Sequence, residues 1–501
     1  MKSKIVKDTF LNGFSDVFSN IAGFFLTTFI IRKMGRESYG VFILATSLLT
    51  QTHLFELGTG AYISKVIAEY KDTTGEKHIN NAISTVFTVS LALNLLIFCL
   101  LVIFIRYSFV TFFNISLDLA DNAKYVAYLC VTSLIFDTIN EVFRRILMGT
   151  LQFKIINIIL IFRTVLNVIL TVILLSAGYG LVGLGYVYLI LAFTVFILMT
   201  IFTYSNVPFK MKIRLFHFDR QIFNEVKNFS IPLFLGKLFA FFSYKIDTWV
   251  LAFFLNPTAV AIYDVGNRLC KILSLSAGYL TSTVLPVAAK IKTLYGTEKL
   301  KELFLKGTYY IVLITFPLAF LLIALAKPII LVWVGDKFFD SILLTRLFCI
   351  IFMLNIITLF GGNMMIGLGD YKYFLKYNAI TTVINLICSL ILVNLIGLAG
   401  VVMGTLISSL FNLFFQLQCV ELKYFQVSFR DFLRNFSFKP LMLSLVPALA
   451  FYYLSRFLTT NLTTIICLLT LWGCFYFFLF IKYGIQKSDR FLLQDFMKLF
   501  S

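Results

Sequence analysis

A small set of ionisable side chains stands inside stretches that are otherwise apolar, and these are the residues that could do chemistry. They are Asp16, Glu56, Asp137, Glu141, Arg163, Lys237, Lys245, Asp247, Asp264, Arg268 and Lys271. If the surrounding stretches lie in a bilayer, each would cost ~2.5–3.5 kcal/mol at a helix centre facing lipid. The set must therefore face protein or water. Its spacing agrees with that. Asp264, Arg268 and Lys271 fall at i, i+4 and i+7, on one helical face, and Asp137, Glu141 and Arg144/Arg145 follow the same rule. Two chemistries follow. Lys and Arg in a hydrated cleft can hold an anion, and buried carboxylates can take up a proton or a small cation. A plainer reading stands beside these: Glu141–Arg145 and Asp264–Arg268 as intrahelical pairs that neutralise one another. Lys245 and Lys271 have no acidic residue three or four positions away. They are the leading anion-binding candidates.

The elements that must position these residues are apolar helices. Hydrophobic residues make up 60% of the chain and charged residues 13%, too few charges for a packed soluble protein. A bilayer core of about 30 Å needs ~20 apolar residues per helix. The sequence predicts fourteen such spans, at 10–31, 40–64, 82–105, 125–147, 155–176, 181–204, 229–255, 260–288, 308–326, 342–366, 374–396, 398–419, 438–457 and 462–481. The fold class is all-α and polytopic. Lys2, Lys4 and Lys7 precede the first span without a small-residue cleavage site, which reads as an uncleaved first helix.

The net charge of +19 is distributed unevenly. With the N-terminus in the cytoplasm, most Lys and Arg fall inside: Lys210, Lys212, Arg214, Arg220 and Lys227 in one loop, Lys290 through Lys306 in another. The opposite loops at 177–180, 256–259 and 397 carry no charge. This asymmetry is the positive-inside pattern and places both termini in the cytoplasm. It also accounts for a pI near 9.5 without nucleic acid.

An internal repeat organises the spans. Tyr39 in loop 32–40 matches Tyr263, and Gly75-Glu76-Lys77 matches Gly296-Thr297-Glu298-Lys299. Residues 148–154 match 366–372, Val165-Leu166-Asn167 matches Val383-Ile384-Asn385, and Gly180-Leu181-Val182-Gly183 matches Gly397-Leu398-Ala399-Gly400. Six spans separate the copies. An even number leaves both halves in the same orientation, the parallel arrangement that places a substrate site between them. The expected division is an N-lobe at 1–204, a basic linker at 205–228, a C-lobe at 229–420, and two added spans with a tail at 421–501.

Arg32-x-x-Gly35-x-x-x-Tyr39-Gly40, followed by Glu56-Leu57-Gly58, resembles the opening of bacterial polysaccharide-biosynthesis membrane proteins. These are lipid-linked oligosaccharide flippases of the multidrug/oligosaccharidyl-lipid/polysaccharide exporter superfamily. Pro232, Asp247, Tyr263 and Pro286 continue the likeness. Ala261 stands where that family usually has Gly, and Glu56 where Asp is commoner. The resemblance implies two six-helix lobes around a central cavity. It also implies the cargo, an undecaprenyl-diphosphate-linked oligosaccharide moved from the cytoplasmic to the outer leaflet of the bacterial inner membrane. Bare diphosphate would meet a barrier of tens of kcal/mol in hydrocarbon. Lys245, Lys271, Arg268, Lys237 and Arg163, with Asp247, are the expected cavity residues for it. Asp16, Glu56, Asp137 and Glu141 are the candidates for coupling to a proton or sodium ion. Expected partners are membrane lipids and the polymerase and glycosyltransferases of the same pathway.

Other classes fare worse. The eight cysteines and three histidines form no Cys-x-x-Cys pair or metal cluster, so no cofactor or metal is implied. A drug-cation exporter of the same superfamily would want an acidic cavity, and the bases of spans 7 and 8 argue against it. A membrane polymerase or glycosyltransferase would need a large outer loop or catalytic domain. The longest outer loop, 106–124, is short, and no Asp-x-Asp pair exists. No catalytic residue is expected.

Overall fold

A computed structural model of the protein describes residues 2–50, 59–70, 75–214, 216–282, 284–436, 438–457 and 461–485. Fifteen principal helices follow in order: α1 (Lys2–Thr50), α2 (Thr59–Tyr70), α3 (Glu76–Tyr107), α4 (Leu117–Gly149), α5 (Phe153–Ser176), α6 (Gly180–Asn206), α7 (Arg220–Phe254), α8 (Pro257–Ser282), α9 (Val284–Trp333), α10 (Ser341–Gly367), α11 (Tyr371–Ile396), α12 (Leu398–Phe415), α13 (Phe429–Phe436), α14 (Phe438–Phe457) and α15 (Leu462–Leu479). Among the described residues, ten helices are long and apolar enough to cross a membrane. The protein is an all-α, multi-pass membrane protein. The ten do not include α7 or α8, to which the sequence assigns most of its deep charges.

Glycines mark where the helices turn. Loops were expected at 32–40 and around Gly296, and the chain is instead helical on both sides of a single break in each. Gly35 (φ 81°, ψ 178°) and Gly296 (φ 76°, ψ −166°) make those breaks. That backbone region is essentially closed to residues with a Cβ. The motif around Gly35 is thereby explained: Tyr39 is buried, and a Cβ on Gly40 would run into the carbonyl oxygen of Pro257.

The internal repeat is visible in backbone detail. After α4, Leu151 takes φ 59°; after α10, Gly369 takes φ 86°. The Leu151 N–H donates to the Met148 carbonyl (3.0 Å) and that of Gly369 to the Ile366 carbonyl (3.0 Å). The next N–H of each turn, from Gln152 or Asp370, reaches the carbonyl of Leu147 (2.8 Å) or Met365 (3.0 Å). Both turns close the preceding helix in the same way. Gly180 (φ 54°) and Gly397 (φ 61°) likewise occupy matching turns.

By packing, the chain forms two compact units, Met1–Ala261 and Ile262–Ser501. The core of the first is built from Ile63 and Ile67 of α2, Ile79 and Ile83 of α3, Ile146 and Leu147 of α4, and Ile159 of α5. The basic linker is bound along α3. The Asn80 amide donates to the Lys210 carbonyl (2.9 Å) and its Oδ1 accepts the Lys212 N–H (2.8 Å). Further along, Ser84 Oγ accepts the Arg214 N–H (3.0 Å) and Thr85 Oγ1 accepts that of Asp219 (3.2 Å). Asp219 then caps α7, accepting from the N–H groups of Gln221 and Ile222. Helix α7 is tied to the first unit at both ends: Tyr62 donates to Glu225 (2.7 Å), Trp249 Nε1 to Ser47 (2.9 Å), and Asn114 Nδ2 to the Phe253 carbonyl (2.6 Å). In the second unit the two added spans engage α9. Tyr309 donates to the Gly484 carbonyl and Tyr476 to the Leu313 carbonyl.

Candidate functional site

Three charged constellations emerge, two in the first unit and one in the second. The first is a cavity of about 290 Å³ enclosed by α1, α5 and α6. Ser15, Asp16 and Ser19 line it from α1, Arg163, Thr164 and Asn167 from α5, and Tyr188 from α6. The hydroxyls of Ser19 and Thr164 share a hydrogen bond of 2.8 Å across the two helices. Asp16 and Arg163 are both exposed in it. An aspartate and an arginine within apolar helices are tolerated where water can reach them, and the lining of this cavity is polar. The sequence placed Asp16 among coupling acids and Arg163 among anion-binding bases; the structure puts both in one chamber.

The second constellation centres on Glu141 of α4. Its buried carboxylate receives Arg144 Nε at 2.5 Å on one oxygen, and Arg145 Nε at 2.6 Å and Arg144 Nη2 at 2.7 Å on the other. Arg145 lies against Gly60, where a Cβ would press on its side chain, and its carbonyl accepts from Ser64 of α2 (2.8 Å). This is a closed ion-pair cluster that joins α4 to α2. Asp137, one turn earlier, is half-buried and engaged with a neighbour of its own.

The third lies on α8. Arg268 donates to Asp264 at 2.7 Å, and Lys271, one turn on, is exposed. The other side of α8 is fixed to α10. Ser341 donates to the Ile262 carbonyl (2.8 Å), Thr345 to that of Gly266 (3.4 Å), and Cys270 packs its thiol on Cys349. Small residues and hydroxyls at such a contact let two helix backbones approach closely. The charged face of α8 is thereby turned away from α10.

Of the remaining sequence-derived candidates, Asp247 is buried on α7, beside the buried Thr248. Lys237 and Lys245 lie on the same helix, but their side chains are outside the described residues, as is Glu56 altogether. Arg163 and Asp247 belong to the first unit, Arg268 and Lys271 to the second. Among the described residues no group of three His, Cys, Asp or Glu is placed to hold a metal ion.

One buried acid escaped the sequence reading. Glu421 follows span 12, where the chain winds into a π-helical turn over Gln416–Glu421. Its side chain is fully buried against Gly361 and Phe304, and Oε1 accepts from Gln416 Nε2 at 2.9 Å. The available signal was Gly361-Gly362 on α10, which leaves room for a carboxyl group from a neighbouring helix.

With this geometry in place, the fold is recognisable among solved membrane proteins. It is shared with the lipid II flippase MurJ in an inward closed conformation, at a TM-score of 0.76 and 18% identity over 97% of this chain and 99% of that one. It is also shared with an inward-facing multidrug resistance MATE family transporter of the MOP superfamily, at 0.65 and 17% over 82% and 95%. A MATE structure in a straight conformation aligns at 0.56 and 17% over 85% and 97%. At these identities the likeness is one of fold. A search of curated proteins gives no match. The family model for polysaccharide biosynthesis proteins matches residues 30–343, and the chain belongs to that family.

Proposed function

We propose that the protein translocates undecaprenyl-diphosphate-linked oligosaccharide units from the cytoplasmic to the outer leaflet of the bacterial inner membrane, supplying surface polysaccharide such as O-antigen, capsule or exopolysaccharide. Both termini lie in the cytoplasm in this reading, and it works with a polymerase and glycosyltransferases of its pathway. The observation that carries it is the polysaccharide-biosynthesis family match across residues 30–343, on a fold shared with a lipid II flippase. The chemistry is consistent. Arg163 in its cavity on the apolar α5, and Arg268 with Lys271 on α8, are cationic groups able to replace water around a diphosphate while a polyprenyl tail stays in lipid.

Transport proceeds by alternating access. Moving two negative charges outward across an inside-negative membrane is favoured by ~4.6 kcal/mol per 100 mV, before counter-charges. Coupling of the return step to a proton or sodium ion falls to the acids of the first unit, with Asp16 placed best because it shares an open cavity with Arg163. Glu141 is committed to two arginines.

The test is reconstitution of the whole protein in vesicles with a fluorescent polyprenyl-diphosphate oligosaccharide and a membrane-impermeant quencher. Protein-dependent movement to the quencher's side is the expected result. Transport of cationic dyes, with none of the polyprenyl substrate, would overturn this reading in favour of a drug exporter.

A further inference from the structure

The segment between α12 and α14 has no part in the function proposed above, yet it is built with care. After the helical turn Leu422–Tyr424, Gln426 takes φ 53° and the Val427 N–H returns to the Leu422 carbonyl (2.8 Å). Ser428 then caps α13, its Oγ accepting the Asp431 N–H at 3.0 Å. Helix α13 is anchored by Phe432, which is buried with its ring 6.0 Å from that of Phe304. Phe304 also stacks on Phe425 at 4.5 Å.

The other described side chains of α13 face outward. Phe429 is 45% exposed and Leu433 50%. At about 100° per residue these two lie roughly 40° apart on the helical wheel, with Arg430 and Arg434 on the flank beside them and Asp431 beyond the arginines. Both arginines and Asp431 are exposed. At the start of the helix a cavity of about 390 Å³ is lined by Lys423, Gln418, Gln426, Ser428 and Phe429. An apolar edge bordered by cations, directly after a membrane span, is the arrangement of a helix lying in the interface.

We propose that α13 and the cavity at its start form a docking site for anionic phospholipid headgroups. Lys423 and the two arginines meet the headgroup phosphates, and Phe429 and Leu433 enter the acyl boundary beneath them. The occupant follows from the charge of the flank and from the place of the segment at the end of α12, which crosses the membrane. The inference rests on the membrane-spanning fold and is independent of the cargo.

The experiment places a photo-crosslinking benzoylphenylalanine at position 433 of the full chain, in vesicles of mixed phosphatidylglycerol and phosphatidylcholine. Crosslinked lipid is identified by mass. The ratio of captured phosphatidylglycerol to phosphatidylcholine is expected to exceed that of the bilayer by about fivefold or more, at ~1 kcal/mol for each surface cation engaged. In the K423Q/R430Q/R434Q variant, which alters only exposed side chains, capture falls to the mole fraction. Capture at the mole fraction in the unaltered chain, or no lipid capture, would refute the site. Loss of the preference on adding inorganic phosphate at constant ionic strength would assign the cations to free phosphate and overturn the lipid reading.

Discussion

Helices α5 and α11 occupy matching places in the two halves, and their local hydrogen bonds correspond residue for residue. Thr164 donates to the carbonyl of Leu160 (3.0 Å), and Thr382 to that of Asn378 (2.7 Å). Thr171 donates to Asn167 Oδ1 (3.3 Å), and Ser389 to Asn385 Oδ1 (2.9 Å). The charges do not correspond. Arg163 opens into the cavity with Asp16, whereas its counterpart Thr381 donates to the carbonyls of Tyr377 and Asn378. Asn385 is buried and also accepts from Thr405 of α12 (3.4 Å), while Asn167 lines the cavity. The polar contacts within the two matching helices are the same, and the charge at the Arg163 position is present on α5 alone. Glu141 repeats the lesson, since its counterpart on α10 is Leu359.

This contrast can be broken at four places. The largest effect is expected at Glu141. Glu141→Gln leaves the partly exposed Arg144 and Arg145 without their carboxylate, and losing charge-assisted hydrogen bonds of this kind costs about 1.5–3 kcal/mol. A large fall in thermal stability in detergent is the expected reading, and an unchanged melting temperature would mean the cluster is dispensable.

Arg163→Ala comes next. A charge-assisted contact to the cargo is worth ~1.5–3 kcal/mol, so vesicle transport is expected to fall about tenfold or more with little change in stability. The control is Thr381→Ala, which should leave transport within about twofold. Equal losses in the two variants would show that position, and not charge, matters.

The third test exchanges the matching turns. Leu151 holds a left-handed conformation that costs a residue with a Cβ ~1–2 kcal/mol, and Gly369 does not bear that cost. Leu151→Gly is therefore expected to stabilise by up to ~1 kcal/mol, and Gly369→Leu to destabilise by ~1–2 kcal/mol. Thermal denaturation of the two variants reads the signs directly; the same sign in both would break the equivalence of the turns.

The smallest effect concerns the paired asparagines. Hydrogen bonds between membrane helices average ~0.6 kcal/mol, so Asn385→Ala, which loses the bond from Thr405 of α12, should cost about that much. Asn167→Ala, whose bond from Thr171 lies within α5, should cost less. If Asn167→Ala instead abolished transport at unchanged stability, the amide would belong to the cargo site.

Much of the fold was legible before the structure. Apolar stretches of span length predicted the order of the helices, because backbone groups in a bilayer must be satisfied within each segment. The matched glycines predicted where the helices turn, because positive φ selects for residues without a Cβ. The loop expected around Gly296 was read from its charges, and the chain is helical on either side of that residue because one glycine suffices for the break. The strap of residues 210–214 along α3 was hidden, since it is held by backbone groups bonded to Asn80 and Ser84.

By itself, the sequence determined that this chain is a multi-pass helical membrane protein, made of a repeated six-span plan, with charges on particular helix faces. Helical periodicity is a local property, and it reports which residues share a face. Only the tertiary structure decided which faces meet: Asp16 with Arg163 across α1 and α5, Glu421 with Gly361 across α10 and the turn after α12. A helix that is apolar all round carries no pattern to say which side sees lipid and which sees a neighbour. That choice is made by close packing at small residues and by a few hydroxyl and amide contacts, whose partners lie far apart in the chain.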